Sequence, residues 1–160
     1  MAIETDCAYL ANKYMDMVYR IALCQLKSPA DSDDVTQNVM LRLIKNRKGF
    51  ESEEHAKSWL IRVALNESKR LLSSSKRQHA ALLEDCEGVP VCQSEEQREL
   101  LEIVMSLPPK YRIVIHLHYF EGYTAFEIGR LLGISETAVT TRLMRAREKL
   151  RETLTAGGAK

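Results

Sequence analysis

Apolar residues recur at helical three-and-four spacing along most of this chain. From about Thr5 to Leu26, the positions Leu10, Tyr14, Met17, Val18, Ile21 and Cys24 share one side and predict a long amphipathic helix. "KSPADSDDVTQNVMLRLIKNRKGF" follows, with an interruption at Pro29 and a candidate cap at Ser32. Asp33 and Asp34 suit the positive start of a helix, and Val35, Val39, Met40 and Leu43 form its apolar stripe, which predicts a second helix ending near Asn46. After "NRKGFESEE", Ser52 can cap a third helix through Ala56, Trp59, Leu60, Val63, Ala64 and Leu71. These helices can share one small core.

The periodicity fails from about Gln78 to Gln93, where "EDCEGVPVCQ" combines Gly88, Pro90 and clustered acid. Beyond it, Ser94 and Gln97 form a capping box for a helix bearing Leu100, Leu101, Val104 and Met105, stopped by Pro108 and Pro109. "KYRIVIHLHYF" is too densely apolar for a surface helix and predicts the buried centre of a second domain, ending at Gly122. Thr124 and Glu127 make another box, Gly133 supplies a C-terminal cap, and Ser135 can cap the last helix. The expected architecture is all-α, with a three-helix domain over 1–77, a flexible acidic linker over 78–93 and a four-helix domain over 94–155.

Composition supports helices, since the 160 residues are rich in Leu, Ala, Glu, Lys and Arg and poor in glycine, proline and aromatics. The net charge of +1 conceals an uneven distribution. Lys57 to Arg77 carries six basic residues against Glu67 alone, Glu84 to Glu99 six acidic against Arg98 alone, and Ser135 to Arg151 five basic against two acidic. Two basic blocks thus flank an acidic connector. No apolar run is long enough to cross a bilayer, and Met1 to Thr5 lacks the features of a signal peptide, so a cytoplasmic protein without stable membrane insertion is expected. Cys7, Cys24, Cys86 and Cys92 have neither CxxC spacing nor scaffold density, which makes reduced thiols the default; Cys86 and Cys92 are a redox pair or two incidental thiols.

The last helix has two faces. At about 100° per residue, Val139, Leu143, Ala146 and Leu150 form a narrow core side. Opposite lie Thr137, Thr141, Met144, Arg145 and Glu148, with Thr140, Arg142, Arg147 and Lys149 on the flanks. A short helix, a glycine turn and a helix presenting Thr and Arg suit major-groove reading. Threonine methyls and hydroxyls can meet base edges, Arg145 can bond guanine bidentately, and Arg147 and Lys149 can hold phosphates. A charged, solvated helix closing a bundle carries similar charges; the two caps and the glycine between them favour the helix-turn-helix.

Taken in order, the parts resemble an extracytoplasmic-function sigma factor, a minimal member of the sigma-70-type subunits of bacterial RNA polymerase. "DSDDVTQNVMLRL" is similar to the family's polymerase-binding segment, "HAKSWLIRVALNESKR" to its promoter-melting helix, and "LPPKYRIVIHLHYFEGYTAFEIGRLLGISETAVTTRLMRAREKLR" to its fourth-region domain. The resemblance runs from about Tyr9 to Leu154. It implies that Asp33, Asp34, Gln37, Met40, Leu41 and Arg42 dock on the clamp helices of the polymerase largest subunit, and that the fourth region meets the flap of the second largest. It implies minus-ten recognition and melting by Phe50 to Glu54 and Asn66, with Phe50 and Ser52 in the loop that receives a flipped base; Phe50 is a stacking face there or a core residue, and Trp59 is read as core. Lys57, Arg62, Lys69, Arg70, Lys76 and Arg77 would meet phosphates. For the minus-thirty-five element it implies Ser135, Glu136, Thr137, Thr140, Thr141, Arg142, Arg145 and Lys149. Promoter DNA, core polymerase and an anti-sigma factor are the implied partners, with no cofactor, no metal and no catalysis. The chain departs from the pattern at "LLSSSKR", where many members are strongly basic, at Thr140, where lysine is frequent, and at Gly129, where alanine is usual.

Two other functions fit parts of the chain. An autonomous helix-turn-helix regulator would bind duplex DNA without polymerase, but an acidic second helix beside a basic third one, without a dimerising stripe, argues against it. A metalloenzyme on His116, His118 and Glu121 with a cysteine would need the two imidazoles together, whereas H-x-H on a helix sets them about 200° apart. No HExxH, CxxC, Walker loop or glycine-rich fingerprint occurs.

Overall fold

A computed structural model describes residues 6–74 and 94–158. The expected linker, Cys86 and Cys92 within it, and Lys76 and Arg77 before it lie outside the described residues. Every regular element among the described residues is helical. Contacts divide into two units, one within residues 1–88 and the other within 89–160.

The first unit holds α1 (Cys7–Leu26), α2 (Pro29–Lys45) and α3 (Glu53–Ser74), each packed on the other two. Leu10, Ile21, Leu43, Leu60 and Ile61 are fully enclosed at its centre. Each such side chain stabilises the fold by roughly 1.5–3 kcal/mol on burial. Asp6 caps α1, and Lys27 ends it in the left-handed conformation, its N–H donating to Leu23 O at 2.9 Å.

The start of α2 differs from expectation. Ser28 is the cap, accepting from the Asp31 N–H at 3.2 Å, and Pro29 is the first helical residue, where its fixed φ and missing N–H cost nothing. Ser32 lies inside the helix, fully buried, with no hydrogen-bond partner for its hydroxyl among the described residues. Asp33 and Asp34 therefore sit in the second turn, beyond the main reach of the helix dipole, and Asp31 occupies the first. Ser52 caps α3 as expected, accepting from the His55 N–H at 3.0 Å.

The second unit holds α4 (Glu95–Met105), α5 (Pro109–Ile115), α6 (Ala125–Leu132) and α7 (Glu136–Gly158). Arg98 N–H reaches Ser94 O at 3.2 Å at the start of α4, while the Gln97 side chain of the expected box lies outside the described residues. α5 runs directly into a wider π-helical turn, His116–Phe120, closed by the Glu121 N–H donating to His116 O at 3.1 Å. Tyr111 to Leu117 are buried, as the apolar density predicts, and the buried Arg112 satisfies the α4 terminus by donating to Met105 O at 3.1 Å. The π turn then carries Tyr119 and Phe120 to the surface. Val139, Leu143 and Ala146 are buried against the unit and Leu150 half-buried, which is the core face expected of α7.

Candidate nucleic-acid interfaces

The α6–turn–α7 corner is built from local signals. Thr124 and Glu127 form a complete capping box at the start of α6. Gly133 ends the helix at φ 72°, where only glycine is free of strain, and the Ile134 N–H closes the turn on Gly129 O at 2.9 Å. The turn passes so close to α6 that a Cβ on Gly129 would lie 2.7 Å from the Ile134 carbonyl oxygen. Glycine at this position thus belongs to the corner's own geometry. Ser135 Oγ then accepts from the Ala138 N–H at 3.0 Å and starts α7.

Along α7, Ser135, Glu136, Thr137, Thr140, Met144, Arg145 and Lys149 are exposed, whereas Thr141 and Arg142 are half-buried and contribute less outward surface than expected. The Thr140 hydroxyl donates to Glu136 O at 2.9 Å, which leaves its methyl and lone pairs outward. Further along, tyrosines of the preceding helical segment brace the basic side chains. Arg147 Nε donates to Tyr119 Oη at 2.6 Å and its guanidinium stands 5.5 Å from that ring's centre. Lys110 and Lys149 ammonium groups lie 5.0 and 5.8 Å from the centre of the Tyr111 ring. Burial pushes the Tyr111 phenol up, but the Arg145 hydrogen bond and the charges of Lys110, Arg145 and Lys149 outweigh it and hold the phenol below its usual range. Neither tyrosine was expected at this surface; the available signal was a phenol beside a basic or imidazole side chain at each end of a densely apolar run.

His116 and His118 do not converge on an ion. His116 Nε2 stands 3.5 Å from Glu121 Oε1, and His118 Nδ1 faces Tyr123 O at 2.8 Å. Among the described residues no group of three or more His, Cys, Asp or Glu is placed to hold a metal.

In the first unit the residues expected to face polymerase do not all lie on the exposed side of α2. Asp33, Asp34, Gln37 and Leu41 are exposed on α2, but Met40 is only 8% exposed and belongs to the core. Ile44, absent from the expected set, is 67% exposed beside Leu41 at 51% and completes the apolar patch. It lies three residues past Leu41, the next place on the same helix face.

Of the two readings of Phe50, the structure takes the core residue over the stacking face. Phe50 is 5% exposed, with its ring edge-on to Trp59 and His55 at centroid distances of 5.4 and 5.5 Å. It anchors the loop and offers no free face to a base. His55 Nδ1 accepts from the Glu51 N–H at 3.1 Å, and Glu53 binds Lys13 at 2.7 Å and Tyr9 Oη at 3.0 Å, so the loop enters α3 on several ties. The two hydrogen bonds from Lys13 and Tyr9 draw the Glu53 carboxyl below its usual range. On α3, Arg62, Asn66 and Lys69 are exposed at helical spacing on one face, while Lys57 and Ser52 are half-buried. Arg42 and Arg70 both bind the buried Glu67, at 2.7 and 2.6 Å.

Comparison with known proteins agrees with this division. Residues 10–78 match the model for sigma-70 region 2, and residues 97–150 match that for sigma-70 region 4. The chain is 27% identical to the ECF RNA polymerase sigma factor SigW of Bacillus subtilis, over 92% of this chain and 88% of the relative. It is 28% identical to the ECF RNA polymerase sigma factor SigM of Mycobacterium tuberculosis, over 88% and 73%. The fold is similar to the sigma factor RpoE solved with the anti-sigma factor NepR from Bartonella quintana, with a TM-score of 0.68 at 19% identity over 91% of this chain and 94% of that one. It is also similar to CnrH solved with the cytosolic domain of CnrY, with a TM-score of 0.64 at 22% identity over 94% and 88%.

Proposed function

Because the chain belongs to the extracytoplasmic-function group of sigma-70 factors and is an alternative sigma factor that directs polymerase-dependent transcription initiation, we propose that its two units divide promoter recognition between them. In the first unit, Asp33, Asp34, Gln37, Leu41 and Ile44 dock on the clamp helices of the largest polymerase subunit. Exposed carboxylates beside exposed apolar side chains fit a basic, helical partner. The α3 face of Arg62, Asn66 and Lys69 follows the strand separated at the minus-ten element, with the Asn66 amide supplying donors and acceptors to a base.

In the second unit, α7 enters the major groove at the minus-thirty-five element. Thr137, Thr140 and Met144 are the exposed candidates for base edges. Arg145, Arg147 and Lys149, braced on tyrosines, hold phosphates. The flap of the second-largest subunit is the proposed polymerase contact of this unit. The similar RpoE was solved with an anti-sigma factor, which supports an anti-sigma partner here also. The protein would act in the cytoplasm, where the polymerase is.

The exposed α2 patch of Asp33, Asp34, Gln37, Leu41 and Ile44 is the observation that supports the polymerase-dependent reading. Its acidic and apolar side chains face outward and take no part in the three-helix core. Run-off transcription from the gene's own upstream region tests it, alongside gel shifts with and without core enzyme. Specific transcripts are expected only with both proteins present. Equal promoter binding with and without core polymerase would instead indicate an autonomous regulator.

A further inference from the structure

Glu67 is the one acidic residue between Lys57 and Arg77, and the fold buries it to 4% exposure. Its two oxygens are divided between two helices: Oε1 takes Arg42 Nη2 of α2 at 2.7 Å, and Oε2 takes Arg70 Nη2 of α3 at 2.6 Å. Both arginines remain more than half exposed, 55% and 70% by side chain. A guanidinium carries five N–H donors in a planar fork, so one bond to Glu67 leaves most of each fork outward. A phosphate spaces its oxygens much as a carboxylate does. Two forks that converge on one carboxylate from inside can therefore converge on one phosphate from outside.

We propose that Arg42 and Arg70, held around the buried carboxylate of Glu67, form one clamp for a backbone phosphate of the strand separated at the minus-ten element. The clamp rests on the placement of α3 against that strand. Arg42 leaves the polymerase-docking set for the nucleic-acid face, and Glu67 becomes a positioning residue. A nucleic-acid phosphate is favoured over a polymerase carboxylate because Arg70 adjoins Asn66 and Lys69 on the exposed side of α3. With its single carboxylate buried under the pair, that stretch of helix shows no competing negative charge.

The test uses the full chain bound to core polymerase, with a labelled single-stranded oligonucleotide carrying the non-template minus-ten sequence, titrated across salt. Arg42→Gln and Arg70→Gln should each weaken binding about five- to tenfold and each flatten the logarithmic salt dependence by about 0.7. Since one phosphate is shared, the double variant should be no flatter than either single one. Glu67→Gln sets placement against simple charge. It removes a negative charge from a basic surface, so a passive role predicts equal or tighter binding, whereas a positioning role predicts weaker binding. Binding by Glu67→Gln that is unchanged or tighter overturns the clamp, as does a double variant with twice the loss of slope. If Arg42→Gln weakens only core-polymerase affinity, the arginine meets a protein carboxylate and the proposal falls. Should Glu67→Gln lose helical content, the two exposed arginines and their double variant still decide. Asn66→Ala and Lys69→Gln separate the premise: if both bind like wild type, α3 is not on the strand, and if they weaken while the clamp variants do not, the clamp alone is wrong.

Discussion

Arg42 and Arg70 of the first unit lean on a carboxylate, and Arg145 and Arg147 of the second lean on phenols. Glu67 anchors Arg42 and Arg70 with an opposite charge, so each guanidinium gives up part of its field to what holds it. Tyr119 orients Arg147 through its hydroxyl and ring without cancelling its charge, and Tyr111 does the same for Arg145 and Lys149. A surface that grips a single strand at a few points gains from placement. One that tracks a duplex keeps its full charge for the phosphates on either side of the groove.

The largest effect expected lies outside both kinds of support. Asp33→Lys with Asp34→Lys should lower core-polymerase affinity on the order of 100-fold, since like charges would then face a basic partner. Its thermal midpoint should stay near wild type, because both residues are exposed in the second turn of α2. Unchanged affinity in a pull-down titration would remove α2 from the docking surface.

Gly129→Ala should break the second unit alone. With its Cβ 2.7 Å from a backbone oxygen, the turn must move, at a cost of about 1–3 kcal/mol. Promoters that depend on the upstream element should lose activity, while binding of a minus-ten oligonucleotide by the holoenzyme persists. Loss of both in parallel would mean that the units do not work separately.

Within α7 the expected differences are smaller and concern kind. Arg147→Ala should weaken duplex binding on all sequences alike and reduce the salt slope by about 0.9. Tyr119→Phe should weaken it by only ~1 kcal/mol and leave the slope intact, because the charge stays and only its hydrogen bond is lost. Arg145→Ala across a library of upstream variants should lower every promoter by a similar factor. Relaxed preference at one guanine would instead return Arg145 to base reading. The least effect belongs to Lys13→Ala. Its partner Glu53 is on the surface, and any stability from its lowered pKa is present above the usual carboxylate range and lost as pH falls through the folded value. Thermal melts at neutral pH should barely change.

What was legible in the sequence was what short range decides. The caps at Ser52, Thr124 and Ser135 and the left-handed Gly133 each depend on neighbours a few residues away, and all stand where expected. Pro29 misled because the same ring that breaks a helix interior is at ease in its first turn, which moved the cap from Ser32 to Ser28. Met40 had two readings, the apolar stripe by periodicity and the docking set by resemblance, and the structure bears out the stripe, with Leu41, about 100° round the helix, facing outward. Phe50 sits in a segment without periodicity, where pattern says nothing about burial. The partnerships of Glu67 with Arg42 and of Tyr119 with Arg147 join separate helices, and no spacing rule along one helix reaches them.

The wide turn at His116–Phe120 makes part of this surface depend on how many residues the chain contains and not only on which. One residue more than an ordinary turn needs is wound into the helix there, with its closing bond from Glu121 to His116. Deleting a single residue from the turn would restore regular winding and keep the helix. The smaller rotation per residue of the wide turn is what absorbs the extra residue, so the chain from Glu121 onward would keep its phase, while Tyr119, inside the turn, would be rotated away from Arg147. A gap of one residue in a related chain at this point therefore marks a factor that must steady its last helix by other means, even where every basic residue of that helix is kept.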